Sequence, residues 1–333
     1  MKPQRRVTLK KLAEILELDV SSISLALRDS PKISHQTRQR INDLANQYGY
    51  SPNMAARQLR SSTPQLIGLV LPSMMNALSN PMAGRTIQVL AELCTAKSIM
   101  FQILSVANLA DSPEGQTISG LLPESLFVWG DVPCQTIATK LLKNRPVIVL
   151  DPSHLSYAGY SGRCISVDNF SGGAAIARHL LELKTNRLLL VQVRTDHLGH
   201  NARLAGARQT WLKQRPAKSL TRCVMSELDD EALIKFVRQG NGAIFCSNDL
   251  GALQLWHRFV QLGLKMPDDV RLAGFDGEEA ALLAGITTMI FDWHTLATTA
   301  MKTMFQLLTT SDGSNSLPAS IAIPAFLRRG QTT

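Results

Sequence analysis

Thr8–Gly49 reads TLKKLAEILELDVSSISLALRDSPKISHQTRQRINDLANQYG, and this stretch decides the plan of the molecule. Leu9, Leu12, Ala13, Ile15 and Leu16 are read as one helix face at i, i+3, i+4 and i+7, which predicts a first helix capped by Thr8. Asp19 is the expected N-cap of a second helix from Val20 to about Arg28, with Ile23 and Leu27 turned inward and Ser30-Pro31 ending the run. Ser34 caps a third, with Thr37 and Arg38 in its first turns. Ile41, Leu44, Ala45 and Tyr48 form its buried stripe, and Gly49 stops it. Two short helices joined by a tight turn, with a third completing a small core, make the helix-turn-helix plan. The second helix is then the one to enter a major groove, presenting Val20, Ser21, Ser24, Leu25 and Arg28. Serine hydroxyls can bond base edges or phosphates, Val20 and Leu25 offer apolar contacts such as thymine methyls, and Arg28 is the one long cationic reader.

Charge points the same way. The 333 residues carry a net +9, and residues 1–63 hold eleven Lys and Arg against five Asp and Glu, so two-thirds of the excess sits on one-fifth of the chain. A basic head on a near-neutral body implies a polyanionic partner. The five cysteines are widely spaced, with no C-x-x-C, which argues against a disulfide framework or a zinc site. No run is long and apolar enough for a membrane span, and no apolar leader core follows the charged N-terminus, so a cytoplasmic protein is expected.

From residue 65 onward, β-rich runs at 66–71, 100–105, 126–129, 147–150, 188–193, 243–246 and 270–275 alternate with helical stretches at 82–97, 172–183, 202–214, 230–239 and 250–262. Such alternation predicts doubly wound parallel sheets, and two are needed to absorb this many units. Ligands bind such folds at the carboxyl ends of the strands. Ser171-Gly172-Gly173-Ala174 lacks the lysine of a phosphate loop and reads as a glycine-rich helix start; His197-x-x-His200 reads as a loop rather than a metal site. No catalytic motif is found, and neither an enzyme nor a cofactor or metal is expected.

The resemblance to the lactose-repressor/galactose-repressor (LacI/GalR) family rests on long matches. In the head these include Val7-Thr8-Leu9, Leu12-Ala13, Ser22-Ile23-Ser24, Ser34, Thr37-Arg38, Gly49-Tyr50, Pro52-Asn53, Ala56 and Leu59. In the body they include Asn80-Pro81, Asp151, Val167-Asp168-Asn169, Arg203-Leu204-Ala205-Gly206, Ser247-Asn248-Asp249, Gly274-Phe275-Asp276 and the ending Ile323–Leu327. The likeness covers about residues 7–330. It implies an all-α helix-turn-helix head joined to a two-lobed α/β core like that of periplasmic sugar-binding proteins. The expected divisions are 1–48 for the head, 49–63 for a hinge helix and linker, and 64–333 for the core. The first lobe would take about 65–163 and 293–322, and the second about 165–290 and 324–333.

By the same likeness, Asn53, Ala56, Arg57 and Leu59 belong to a hinge helix in the minor groove, with Leu59 the wedge that kinks the duplex. Thr8, Ser22, Ser34 and Thr37 complete the DNA-contact set. Arg203, Asn248 and Asp276 match a polar trio that holds sugar hydroxyls, and Asp151 a further contact; Phe291 stands where a polar residue is frequent, beside Trp293. The expected partners are a palindromic double-stranded operator, a sugar or sugar-phosphate effector and a second copy of the chain, since one short recognition helix reads few base pairs. The function implied is a ligand-responsive regulator, most simply a repressor; the alternative is a ligand sensor whose head no longer reads DNA specifically. Two departures bear on that alternative. Leu16-Glu17 occupies a turn usually built of Ala-Gly, at a cost of up to ~1 kcal/mol, and Leu25 replaces a usual base-reading Arg or His.

Overall fold

The computed structural model describes residues 9–27, 30–48, 66–73, 81–106, 123–135, 145–309 and 317–333. The chain divides into two compact units, residues 1–65 and 66–333.

Among the described residues the first unit holds three helices, α1 (Leu9–Leu16), α2 (Val20–Ala26) and α3 (His35–Gln47). Leu12, Ala13, Leu16, Ile23, Ala26, Ile41 and Ala45 make its core, with Leu27, Ile33 and Leu44 packed at the edge. The Ser34 hydroxyl accepts from Thr37 N at 3.2 Å, so the expected N-cap of α3 is in place. Three expectations are corrected. Asp19 holds the N-cap position of α2 but its side chain makes no cap bond. Tyr48 is 43 % exposed, because α3 ends at Gln47 and the ring lies beyond the core. Ile15 faces solvent, being displaced from the Leu12–Leu16 stripe by the 100° turn between successive residues.

Among the described residues the second unit holds two larger sheets and a two-stranded one. The first is six parallel strands in the order β11-β5-β4-β3-β1-β2. Its strands are β1 (Leu66–Leu71), β2 (Met100–Ser105), β3 (Ser125–Trp129), β4 (Val147–Leu150), β5 (Cys164–Val167) and β11 (Ser320–Ile323), with helices α4 (Pro81–Ala96) and α10 (Trp293–Thr309) packed against each other beside it. β1, β3 and β4 read LIGLVL, SLFVW and VIVL and are almost wholly buried, as central parallel strands must be. The second sheet has the order β7-β6-β8-β9, from β6 (Arg187–Gln192), β7 (Leu220–Val224), β8 (Gly242–Cys246) and β9 (Val270–Ala273). Its helices are α5 (Asn169–Glu182), α6 (Leu198–Leu212), α7 (Asp230–Arg238), α8 (Asp249–Gln261) and α9 (Glu279–Leu283). A two-stranded ribbon of β10 (Thr288–Phe291) and β12 (Ala325–Arg328) joins this lobe.

The chain passes between lobes three times, at Asp168 between β5 and α5, at Asp292 between β10 and α10, and at Pro324 between β11 and β12. The lobe boundary expected near residue 164 therefore moves to 168: Ile165 and Val167 pair with Ile321 and Ile323, which anchors residues 164–167 in the first lobe.

Candidate functional site

The second lobe is built around one guanidinium. Arg203 comes from α6, is 1 % exposed, and is tied inside the protein by two donated hydrogen bonds and an ion pair. Nε donates to Asn169 Oδ1 at 2.7 Å and one terminal nitrogen to the Ser247 carbonyl at 2.8 Å; the other pairs with Asp276 Oδ1 at 2.8 Å. The plane lies over the Phe275 ring at 3.9 Å. Each partner stands at a chain junction. Asn169 opens α5 just past the first crossover, Ser247 follows β8, and Asp276 follows β9. These are the carboxyl ends of parallel strands, where open α/β sheets bind ligands.

Two buried carboxylates belong to this region. Burial outweighs the Arg203 guanidinium and pushes the Asp276 carboxyl up to about 7. Asp151, which follows β4 in the first lobe, is also raised by burial and pulled back in part by Arg203. Among the described residues its carboxyl accepts a long hydrogen bond from Val167 N, 3.5 Å. Both residues have a backbone in the left-handed region, φ 47° at Asp151 and 120° at Asp276. Such conformations cost on the order of 1–3 kcal/mol each and concentrate at ligand sites.

A second tier holds these groups. Asp249 is fully buried, accepts from the Thr288 hydroxyl at 2.7 Å and Glu278 N at 2.8 Å, and so clamps the loop that carries Asp276. The Ser247 hydroxyl accepts from Val193 N at 2.9 Å and shares a hydrogen bond with His200 Nδ1, also at 2.9 Å. Burial, with Arg203 nearby, drives the His200 pKa far down and that of His197 to about 4, so both rings are neutral near pH 7. His197 caps α6 by accepting from His200 N at 3.3 Å, which accounts for the spacing without a metal. Among the described residues no group of His, Cys, Asp or Glu has the makings of a metal site. The Ser171–Ala174 run is a helix start: Asp168 accepts from Ser171 N at 3.0 Å and caps α5.

The expected effector residues fare unequally. Arg203 and Asp276 are brought together. Asn248 caps α8, its Oδ1 accepting from Gly251 N at 2.9 Å. Phe291 is buried edge-on against Trp293, centroids 4.0 Å apart, and belongs to the core. Asn169, Ser247 and Asp249 stand in the matching stretches and His200 in the His197-x-x-His200 loop, but the sequence assigns none of them to the effector site. Asn169 and Asp249 stand beside Asp168 and Asn248 in matching stretches, and what they touch lies 29 to 39 residues away.

In the head, Val20 and Ser21 are exposed at the start of α2, while Ser22, Ser24 and Leu25 are half-covered. Ser34 and Thr37 bond each other through their hydroxyls at 2.7 Å. Glu17 takes φ 53°, so the turn does demand the backbone that glycine favours. Thr8, Arg28, Asn53, Ala56, Arg57 and Leu59 lie outside the described residues.

Residues 177–333 match the model of a periplasmic binding protein-like domain. The regulator DegA of Bacillus subtilis is 24 % identical over 302 residues, 84 % of either chain. The sucrose operon repressor of Pediococcus pentosaceus is 23 % identical across the full length of both. Among solved structures, the lac repressor dimer bound to operator and the anti-inducer ONPF superposes with a TM-score of 0.76 at 19 % identity, covering 99 % of each chain.

Proposed function

Because the chain belongs to the LacI/GalR family of helix-turn-helix regulators, we propose that it is a sequence-specific transcriptional repressor whose grip on its operator is set by a sugar or sugar derivative bound between its two lobes. It is a regulator and not an enzyme. The observation that carries the reading is the Arg203–Asp276 pair at the strand ends of a two-lobed core, in a chain that also holds a compact helix-turn-helix. Asp276 and Asp151 accept hydrogen bonds from hydroxyls, Asn169 and Asn248 can do both, and Arg203 keeps N–H groups beyond its two donated internal bonds. A dimer places two α2 helices in successive major grooves, with Val20, Ser21, Ser22, Ser24, Leu25 and Arg28 facing bases and phosphates. Residues 53–60 form the hinge, and Leu59 opens the central base step. The effector acts through its different affinity for two lobe arrangements, one of which supports the hinges.

The test is affinity selection of the source organism's genomic fragments by the purified full chain, with and without a pool of sugars. Near-palindromic sites should be enriched in at least one arm. Leu59→Ala should weaken binding to those sites roughly tenfold or more, and Arg203→Ala should remove the sugar response while DNA binding persists. Failure to enrich any site in either arm would replace this reading with that of a sensor whose head no longer reads sequence.

A further inference from the structure

A groove of about 670 Å³ lies between α6 and the sheet-edge strand β7 in the second lobe. It shares none of the groups that hold Arg203. Leu190 and Leu204, both buried, supply an apolar floor; Thr195 and Asn201 supply a hydroxyl and an amide. Arg208, from the exposed side of α6, and Arg222, from β7, line the same groove, and no carboxylate does.

Arg222 is an unusual occupant of its position. It stands in register with Leu190, next to Leu188 paired with Leu220 on the face that packs under α6, where the sheet otherwise presents leucine. Buried Gln192 holds it there. The Gln192 carbonyl oxygen accepts from Arg222, while its amide donates to the Arg194 carbonyl at 3.0 Å and to Asn201 Oδ1 at 2.6 Å. One side chain that is 98 % buried thus orients both a guanidinium and an amide toward the groove. Arg208 makes no ion pair among the described residues. Two cations lining one concavity without an anion repel each other, and a bound anion would reverse that interaction.

We propose that this groove is a second ligand site, separate from the interlobe site, for a phosphorylated small molecule. Its phosphoryl group is held between Arg208 and Arg222, and its less polar part lies on Leu190 and Leu204. Planar guanidinium forks suit phosphate oxygens better than a point charge does.

The probe is inorganic pyrophosphate, titrated calorimetrically into the full chain at constant ionic strength. Saturable binding is expected. Arg208→Ala and Arg222→Gln should each weaken it roughly tenfold or more. Arg208 is an exposed helical residue, so its alanine variant keeps the fold even if Arg222→Gln does not. Pyrophosphate that fails to saturate the protein, or that binds Arg208→Ala as well as wild type, overturns the proposal; in the second case the anion sits elsewhere, as on the basic head.

Discussion

Asp276 shows how one residue can be placed by sequence and given its character by surroundings. Its position after β9 was visible; its left-handed backbone, its burial and its pairing with Arg203 were not. A carboxyl raised from its ordinary 3.8 to about 7 binds protons more tightly in the folded state. Its stabilising share is complete below about pH 4 and is lost as the pH climbs through about 7. His197 works in the opposite sense. Lowered to about 4, it contributes above 6.5 and loses that contribution on acidification. The two overlap in wild type, so a substitution must separate them. Asp276→Asn should gain on wild type in thermal stability between pH 4 and pH 8, by roughly 1 kcal/mol or more. A constant difference across that range would mean that Arg203 keeps Asp276 ionised throughout. Glu17 belongs to the same scale. Its positive φ follows from the turn it occupies, and a turn is legible in local sequence.

At the scale of elements, the α5–α6 crossing positions Arg203. The two helices approach so closely that a Cβ added at Gly173 would lie 1.9 Å from the Arg203 carbonyl oxygen, and one at Gly206 would lie 2.0 Å from that of Phe170. Those contacts are with backbone, which cannot swing aside. Gly206→Ala is predicted to cost about 1–3 kcal/mol in urea denaturation and to shift Arg203 with the helix. Gly84→Ala is the control, because α4 has open space there and alanine is the better helix former by up to ~1 kcal/mol. An equal effect of the two substitutions would disprove the role of close packing. Many regular elements were legible: β1, β2 and β4 match their expected bounds, and the five helices expected in the body stand within about four residues of theirs, whereas α9 and the 17-residue α10 were not expected. β5, β7 and the β10–β12 ribbon were not read as strands. CISV and LTRCV are short, and β7 is largely exposed at the sheet edge, so neither has the unbroken apolar run that marked the others. Such strands exist because a neighbour offers them hydrogen bonds.

At the scale of the whole core, the lobes touch beside the site. Leu198 N donates to the Ser153 carbonyl at 2.6 Å, His154 and His197 form an antiparallel bridge, and Arg194 reaches Asp131 at 3.5 Å. Asp131 in turn accepts from the Ser153 hydroxyl at 2.8 Å. These contacts would break if the lobes parted. The ion pair is part-exposed and so is worth at most about 1 kcal/mol. Arg194→Ala should therefore shift any opening equilibrium by no more than about fivefold, seen as a larger radius of gyration in solution scattering of the ligand-free protein. An unchanged radius would leave the Leu198–Ser153 backbone bond as the latch. The sequence by itself determined the two-part plan, the helix periods of the head, the parallel character of the body and the presence of Arg203 and Asp276, because each of these is written in local spacing, charge or motif. Tertiary structure alone decided that Asn169, Ser247 and Asp249 converge on that pair, that Asn248 serves a helix and Phe291 the core, and that the lobe boundary falls at Asp168. These depend on strand pairing and on contacts across tens of residues, and no local pattern encodes which distant segment will supply the partner.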